Sequence, residues 1–275
     1  MIERFARTSI PNDLSALLGF ATASHARAML LLVFLSLLSF LPGFFNIPPV
    51  DRDEARFAQA TKQMLEAGDY IDIRFQDEVR YKKPVGIYWL QAAVVKTAES
   101  LGVPQARSTI WLYRIPSLIG AIGATLLTYW TALAFMQRRS AFLAGLMIAT
   151  CLLLNIEARL AKTDAMLLLC CVAAMGVMAR AYLRQGDQRD VRWSHAAILW
   201  TAIAAGILIK GPLILMIAGL TAAALIAYDR NARWLLALRP ALGLLWLVLL
   251  VLPWFVAIVL KSGNAFFPNP SAATC

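Results

Sequence analysis

Long apolar runs alternate with short basic connections along most of this chain. The runs fall at about 28–45, 114–136, 140–157, 164–183, 195–209, 211–228 and 240–260, close to the ~20 residues that carry an α-helix across a ~30 Å hydrocarbon layer. A transmembrane barrel would instead show short alternating segments, and none is present. The pattern therefore predicts an all-α polytopic membrane protein with about seven transmembrane helices. The stretch 46–113 between the first two runs is different. Phe57, Thr61, Met64 and Leu65 recur at helical spacing and Gly68 supplies a stop, which predicts one helix. The segment 84–102 places Leu90, Val94, Ala98 and Leu101 on one face, with Lys96 and Glu99 spaced to pair on another. Charges at mid-membrane are costly, whereas an amphipathic helix in the interface avoids that cost. Both segments are expected to be interfacial helices of the first outer loop.

Composition agrees: 60% of the 275 residues are hydrophobic and 15% charged, and mean hydropathy is +0.65. A soluble enzyme, a disulfide scaffold and a disordered tail are excluded. The net charge of +10 follows from the positive-inside pattern rather than from nucleic-acid binding. With the N-terminus in the cytoplasm, the inward segments carry Arg4, Arg7 and Arg27; Arg138 and Arg139; Arg180, Arg184, Arg189 and Arg192; and Arg230, Arg233 and Arg239. All seven lysines fall on the outer side. The outer loop therefore reads either as tolerated basic charge or as an anion-binding surface. Cys151, Cys170, Cys171 and Cys275 form no disulfide or zinc pattern, and His25 and His195 are isolated. The run 29–41 lacks a cleavage site and reads as an uncleaved first span.

Several positions carry candidate chemistry. Asp51-Arg52-Asp53 opens the first interfacial helix; either acid can cap it, or one can serve as a reactive carboxylate. Arg56 lies one turn from Asp53. Lys82 and Lys83 precede Pro84 at the entry to the second interfacial helix, where they either snorkel to headgroups or clamp a lipid phosphate. Asp164 opens a span, as a cap or a functional acid. Lys210-Gly211-Pro212 is either a tight hairpin or a cationic lip of a lipid-phosphate groove.

The order of these elements is distinctive. A span is followed by Asp53-Glu54-Ala55-Arg56-Phe57, Gly68-Asp69-Tyr70, Lys83-Pro84, Tyr88-Trp89-Leu90 and Tyr113-Arg114-Ile115-Pro116-Ser117; Ala158 to Asp164 and Lys210-Gly211-Pro212 come later. Over about 28–267 this resembles the N-terminal half of the GT-C membrane glycosyltransferases, in particular the aminoarabinose–lipid A transferase-like branch related to protein O-mannosyltransferases. The resemblance implies a polyprenyl-phosphate sugar donor and a lipid (lipid A-like) or protein acceptor at the periplasmic face of the bacterial inner membrane. It implies Asp53 and Asp164 as catalytic carboxylates, and Arg56 and Lys83, with Lys82 and Lys210, as donor-phosphate ligands. Two departures stand out. Phe57 replaces a frequent tyrosine. Lys82 occupies the place of a glutamate that ligates metal in the aminoarabinose transferases, so a divalent metal is not expected here.

The expected organisation is a cytoplasmic segment 1–27, a transferase region 28–267 with its catalytic outer loop 46–113, and an atypical tail 268–275 that reads as a truncation point. Competing expectations are a transporter or flippase of an anionic lipid, and an inactive fragment of the transferase. The spans hold almost no mid-membrane charge and no repeat, which weighs against transport.

Overall fold

A computed structural model describes residues 12–184 and 193–262. The helices are α1 (Asn12–Ala21), α2 (His25–Phe40), α3 (Arg52–Ala67), α4 (Gly86–Ser100), α5 (Ile110–Ala132), α6 (Arg138–Ala149), α7 (Leu152–Glu157), α8 (Asp164–Leu183), α9 (Trp193–Lys210), α10 (Leu213–Asp229) and α11 (Pro240–Ser262). Between α3 and α4 lies a two-stranded hairpin, β1 (Arg74–Phe75) and β2 (Glu78–Val79). Among the described residues, α5, α8, α9 and α11 are long and apolar enough to cross a membrane, and α2 and α10 are apolar but shorter.

The centre of the bundle is a row of neighbours: α5 on α8, α8 on α9, and α9 on α11, with α2 and α6 on the far side of α5. Small residues set the closest crossings. A Cβ on Gly120 of α5 would lie 2.8 Å from the backbone of Ala165 and Met166 in α8, so the two helices touch main chain to main chain. Leu199, Ile203 and Ile207 of α9 and Ala174, Val177 and Met178 of α8 fill the main core.

The loop after α2 folds into a cap on one end of this row. Asp51 accepts a 2.7 Å hydrogen bond from the Asp53 amide and so caps α3, and Gly68 ends that helix with φ +66°. The apolar stripe of α3 is buried as the spacing predicts: Phe57, Thr61, Met64 and Leu65 all face inward. α4 lies against α3, α5 and α9.

In several places the structure departs from the sequence pattern. The buried face of α4 is Ile87, Tyr88, Gln91, Ala92, Val95 and Ala98; Leu90 and Leu101 point outward. Gln91 is the reason a polar position joins the inward face. Its side chain accepts from Thr61 Oγ1 at 2.7 Å and donates to the Ala161 carbonyl at 3.3 Å. Glu99 pairs with Arg107 at 2.6 Å rather than with Lys96, which lies over the Tyr70 ring. The run 140–157 is divided into α6 and α7 at Thr150–Cys151, and α5 starts four residues before the apolar run, at Ile110. The hairpin and α1 were not legible in the periodicity.

The far end of the bundle carries the described arginines of the short connections. Arg138 donates to the carbonyls of Thr22 and Ala23 at 3.0 Å. Arg180 lies over the Trp130 ring and Arg239 over Trp193, which keeps each cation beside an aromatic face at the bundle end. His25 hydrogen-bonds Tyr129 at 2.8 Å, and His195 stacks on Trp130. Arg4, Arg7, Arg189, Arg192, Cys275 and the 268–275 tail lie outside the described residues.

Candidate active site

The opposite end gathers the residues singled out above. Asp51, at the head of α3, forms a 2.5 Å ion pair with Lys162, which precedes α8. That lysine holds the Asp51 carboxyl below the usual carboxylate range, helped by the Asp53 amide. Partial burial works most strongly against the charge of Lys162, but its hydrogen bond to Asp51 and the charges of Glu157, Asp51 and Asp164 together outweigh this and raise the ammonium above its ordinary value. Two residues on, Asp164 pairs with Lys210 at the end of α9. One clasp joins the first loop to the head of α8, and a second joins α8 to α9. Asp51 and Asp164 therefore meet at one end of the bundle although 113 positions separate them in the chain.

Asp53 itself is not the cap, and that leaves its carboxylate free of the backbone. It is exposed and lies 3.7 Å from Arg56, one helical turn on. Arg56 also faces the Phe75 ring of the hairpin, 6.0 Å away. Lys82 is exposed and Lys83 half-buried. Three residues past Lys83, Gly86 packs so closely that a Cβ there would be 2.7 Å from the Leu208 carbonyl. This contact draws the Lys82–Lys83 entry of α4 toward the end of α9, where Lys210 stands.

Sequence reasoning missed the group that holds this cap in place. Glu54 and Arg114 are fully buried and paired through two contacts, 2.7 and 3.2 Å long. Arg114 also donates to the Phe44 carbonyl at 2.9 Å, and Glu54 accepts from the Ala161 amide at 3.0 Å. One ion pair thus ties α3, the turn after α2, the start of α5 and the loop before α8. Both residues lie inside motifs visible in the sequence, Asp53–Phe57 and Tyr113–Ser117; a charge at the start of an apolar span with an acid upstream was the available signal. Glu157, which the sequence offers only as a structural ion partner alongside Arg159, is not paired with that arginine, which donates to the Phe40 and Ser39 carbonyls. The Glu157 Oε2 is buried with no hydrogen-bond partner, within electrostatic reach of Asp164, Lys162 and Lys210.

No group of three or more His, Cys, Asp or Glu side chains is placed to hold a metal among the described residues. With Lys82 at the position where the resemblance leads to a metal-ligating glutamate, the residues present do not fit a metal there.

A family profile described as dolichyl-phosphate-mannose-protein mannosyltransferase matches residues 82–256. The chain belongs to this mannosyltransferase family. Among its relatives is the undecaprenyl phosphate-alpha-4-amino-4-deoxy-L-arabinose arabinosyl transferase of Erwinia tasmaniensis, 30% identical over 207 residues, covering 75% of this chain and 35% of the relative. The transferase of the same description from Aeromonas hydrophila is 28% identical over 225 residues, 79% of this chain and 39% of the relative. The crystal structure of ArnT from Cupriavidus metallidurans in the apo state superposes with a TM-score of 0.76 at 21% identity, over 87% of this chain and 44% of that one. The form bound to undecaprenyl phosphate gives 0.76 at 20% identity. The bundle is therefore the fold of that membrane glycosyltransferase. The chain spans well under half the length of the mannosyltransferase-family proteins it matches.

Proposed function

We propose that this chain is the donor-binding part of an integral membrane glycosyltransferase. It transfers a sugar from a polyprenyl-phosphate donor to a lipid (lipid A-like) or protein acceptor, with its site on the periplasmic side of the bacterial inner membrane. The observation that carries this reading is the meeting, at one end of the bundle, of Asp53 and Arg56, the Lys83 entry of α4, and the Asp164–Lys210 pair. The relatives, undecaprenyl phosphate-alpha-4-amino-4-deoxy-L-arabinose arabinosyl transferases, and the ArnT structure bound to undecaprenyl phosphate support it.

The chemistry follows from charge. As the bond between the anomeric carbon and the phosphate oxygen breaks, its electron pair stays on oxygen and the polyprenyl phosphate leaves as an anion. Arg56 and Lys83 neutralise that growing charge as positioned cations. Positive character grows at the anomeric carbon and is stabilised by a nearby carboxylate. The acceptor oxygen forms the new bond. If it begins as a hydroxyl, its proton passes to Asp53; if it is an ionised lipid phosphate, Asp53 orients the sugar. Lys210 fixes the direction of the Asp164 carboxylate.

Membranes containing the protein, supplied with a polyprenyl-phosphate sugar and lipid A, provide the test. Transfer is expected to fall at least a hundredfold in Asp53→Ala and about tenfold or more in Lys83→Ala. Undiminished transfer in both variants would reject the reading.

A further inference from the structure

Close to Asp53 and to the Lys83 entry of α4 lie two polar groups that no role has yet absorbed, Arg80 and the Tyr88 hydroxyl. Arg80 follows the hairpin, fixed by the hydrogen bond from its own amide to the Ile73 carbonyl at 2.7 Å. Its guanidinium lies 5.5 Å from the centre of the Phe57 ring. Phe57 in turn packs on Tyr88 of α4, with ring centres 5.5 Å apart. The Arg80 guanidinium stands close enough to the Tyr88 hydroxyl to interact with it, and Tyr88 lies in the field of Asp53. Yet Arg80 Nε and the Tyr88 hydroxyl oxygen are buried and make no hydrogen bond of ordinary geometry.

Buried polar groups are nearly always hydrogen-bonded, because desolvating a donor without a partner is costly. A guanidinium is more demanding still, since its donors form a rigid fork suited to carboxylate or phosphate oxygens. Here no acid answers it. Most acids of this end are paired with other groups: Asp51 with Lys162, Glu54 with Arg114, Asp72 with Arg74 and Tyr81, Asp164 with Lys210, and Asp53 with Arg56; Glu157 lies beside Lys162 and Lys210 instead. The surroundings are cationic, with Arg56 one turn from Asp53 and Lys83 three residues past Arg80. Lys83 itself makes no hydrogen bond or ion pair with another described residue. An anion is the group that would satisfy all of these donors at once.

We propose that Arg80 and the Tyr88 hydroxyl form a phosphate-binding subsite in which Arg80 grips the donor's phosphate alongside Lys83, while Tyr88 donates to a second phosphate oxygen. The Phe57 ring serves as the floor, covering one face of the guanidinium and keeping water from it. This assignment rests on the donor-binding reading above and adds to it the residues that hold the leaving group.

Binding of a long-chain polyprenyl monophosphate to the protein in lipid nanodiscs tests this, with inorganic phosphate as a second probe. Wild type is expected to bind the lipid phosphate and to show a raised melting temperature with it. Arg80→Gln should weaken binding about tenfold or more and Tyr88→Phe about three- to tenfold, with Arg80→Lys recovering part of the loss. The ligand-free melting temperature of Arg80→Gln should stay close to that of wild type, since loss of the contact with the Phe57 ring is offset by removal of a buried Nε donor that has no hydrogen-bond partner. If inorganic phosphate binds with the same Arg80 dependence, the subsite reads the phosphate itself; if only the lipid form binds, the isoprenoid contributes the remaining affinity. Both results support the assignment. Binding that depends on Lys83 but is unchanged in Arg80→Gln would overturn this subsite and leave the donor reading standing. Failure of wild type to bind the lipid phosphate would overturn both. A lower ligand-free melting temperature in both Arg80 variants, accompanying the loss of affinity, would mark Arg80 as a packing residue and overturn the proposal.

Discussion

The adjacent acids Asp53 and Glu54 have opposite fates because one helical step turns a side chain by about a quarter of a circle. Asp53 stays on the open side of α3 with 55% of its side chain exposed, while Glu54 is fully buried against Arg114. A buried ion pair is a poor source of net stability but is costly to break, since the survivor is left as an unpaired charge. Arg114→Met is therefore expected to destabilise the protein by about 3–5 kcal/mol, read as a lower melting temperature in detergent. Glu54→Leu should fall in the same range. The double variant should lose clearly less than the two single losses combined, because neither charge then survives alone. It should not return to wild type, because the Phe44 carbonyl and the Ala161 amide still lose their partners. Strict additivity would mean that the pair contributes nothing as a pair. Asp53→Asn, by contrast, touches no buried partner and should leave the stability within about 0.5 kcal/mol of wild type, which separates a reactive carboxylate from a structural one.

At the scale of elements, the packing of α4 decides how the cationic entry at Lys83 is held. Gly86 is the contact point, with the Leu208 carbonyl where a side chain would begin. Backbone cannot yield as a flexible side chain can, so Gly86→Ala must push α4 off α9. The expected cost is about 1–3 kcal/mol. Because the shift moves Lys83 away from Lys210, transfer activity should fall further than stability does, measured at a temperature where the variant remains folded. Retained activity with a lowered melting temperature would show that this spacing is not critical. The same helix shows why the sequence was legible only in part. The spans and the inward stripe of α3 could be read because hydrophobic burial acts residue by residue and leaves a period. The inward face of α4 could not, because Gln91 is buried by two specific hydrogen bonds, and such partners are remote in sequence. The break at Thr150–Cys151 carries no proline or glycine to announce it. At the site, Asp53, Arg56, Lys83 and Asp164 could be singled out by motif order. Glu54, Arg80 and Tyr88 became visible only once burial and missing partners could be seen.

For the whole molecule, the charge pattern and the contacts make one joint statement about sidedness. The described arginines of the short connections gather at the end where α5 finishes and α6 begins, with Arg138 on the carbonyls after α1 and Arg180 on Trp130, whereas the others belong to the cap and its surroundings. Lysines gather at the other end, in the clasps Lys162–Asp51, Lys210–Asp164 and Lys261–Asp69. Basic connections remain on the cytoplasmic side during insertion, so the arginine end should face the cytoplasm and the clasps the periplasm. The clasps also require that α4 not cross the membrane: one additional crossing between α3 and α5 would put Asp51 and Lys162 on opposite sides of a ~30 Å layer, and they are 2.5 Å apart. Single cysteines test this in a background with Cys151, Cys170, Cys171 and Cys275 replaced. Arg52→Cys and Asp164→Cys should react with an impermeant maleimide added outside spheroplasts. Gln137→Cys and Tyr228→Cys, at the arginine end, should react only after the membrane is opened. Labelling of 52 and 164 from opposite sides would be incompatible with the fold. Labelling of both only from the cytoplasmic side would preserve the fold but remove the periplasmic site, and with it access to an acceptor on the outer leaflet.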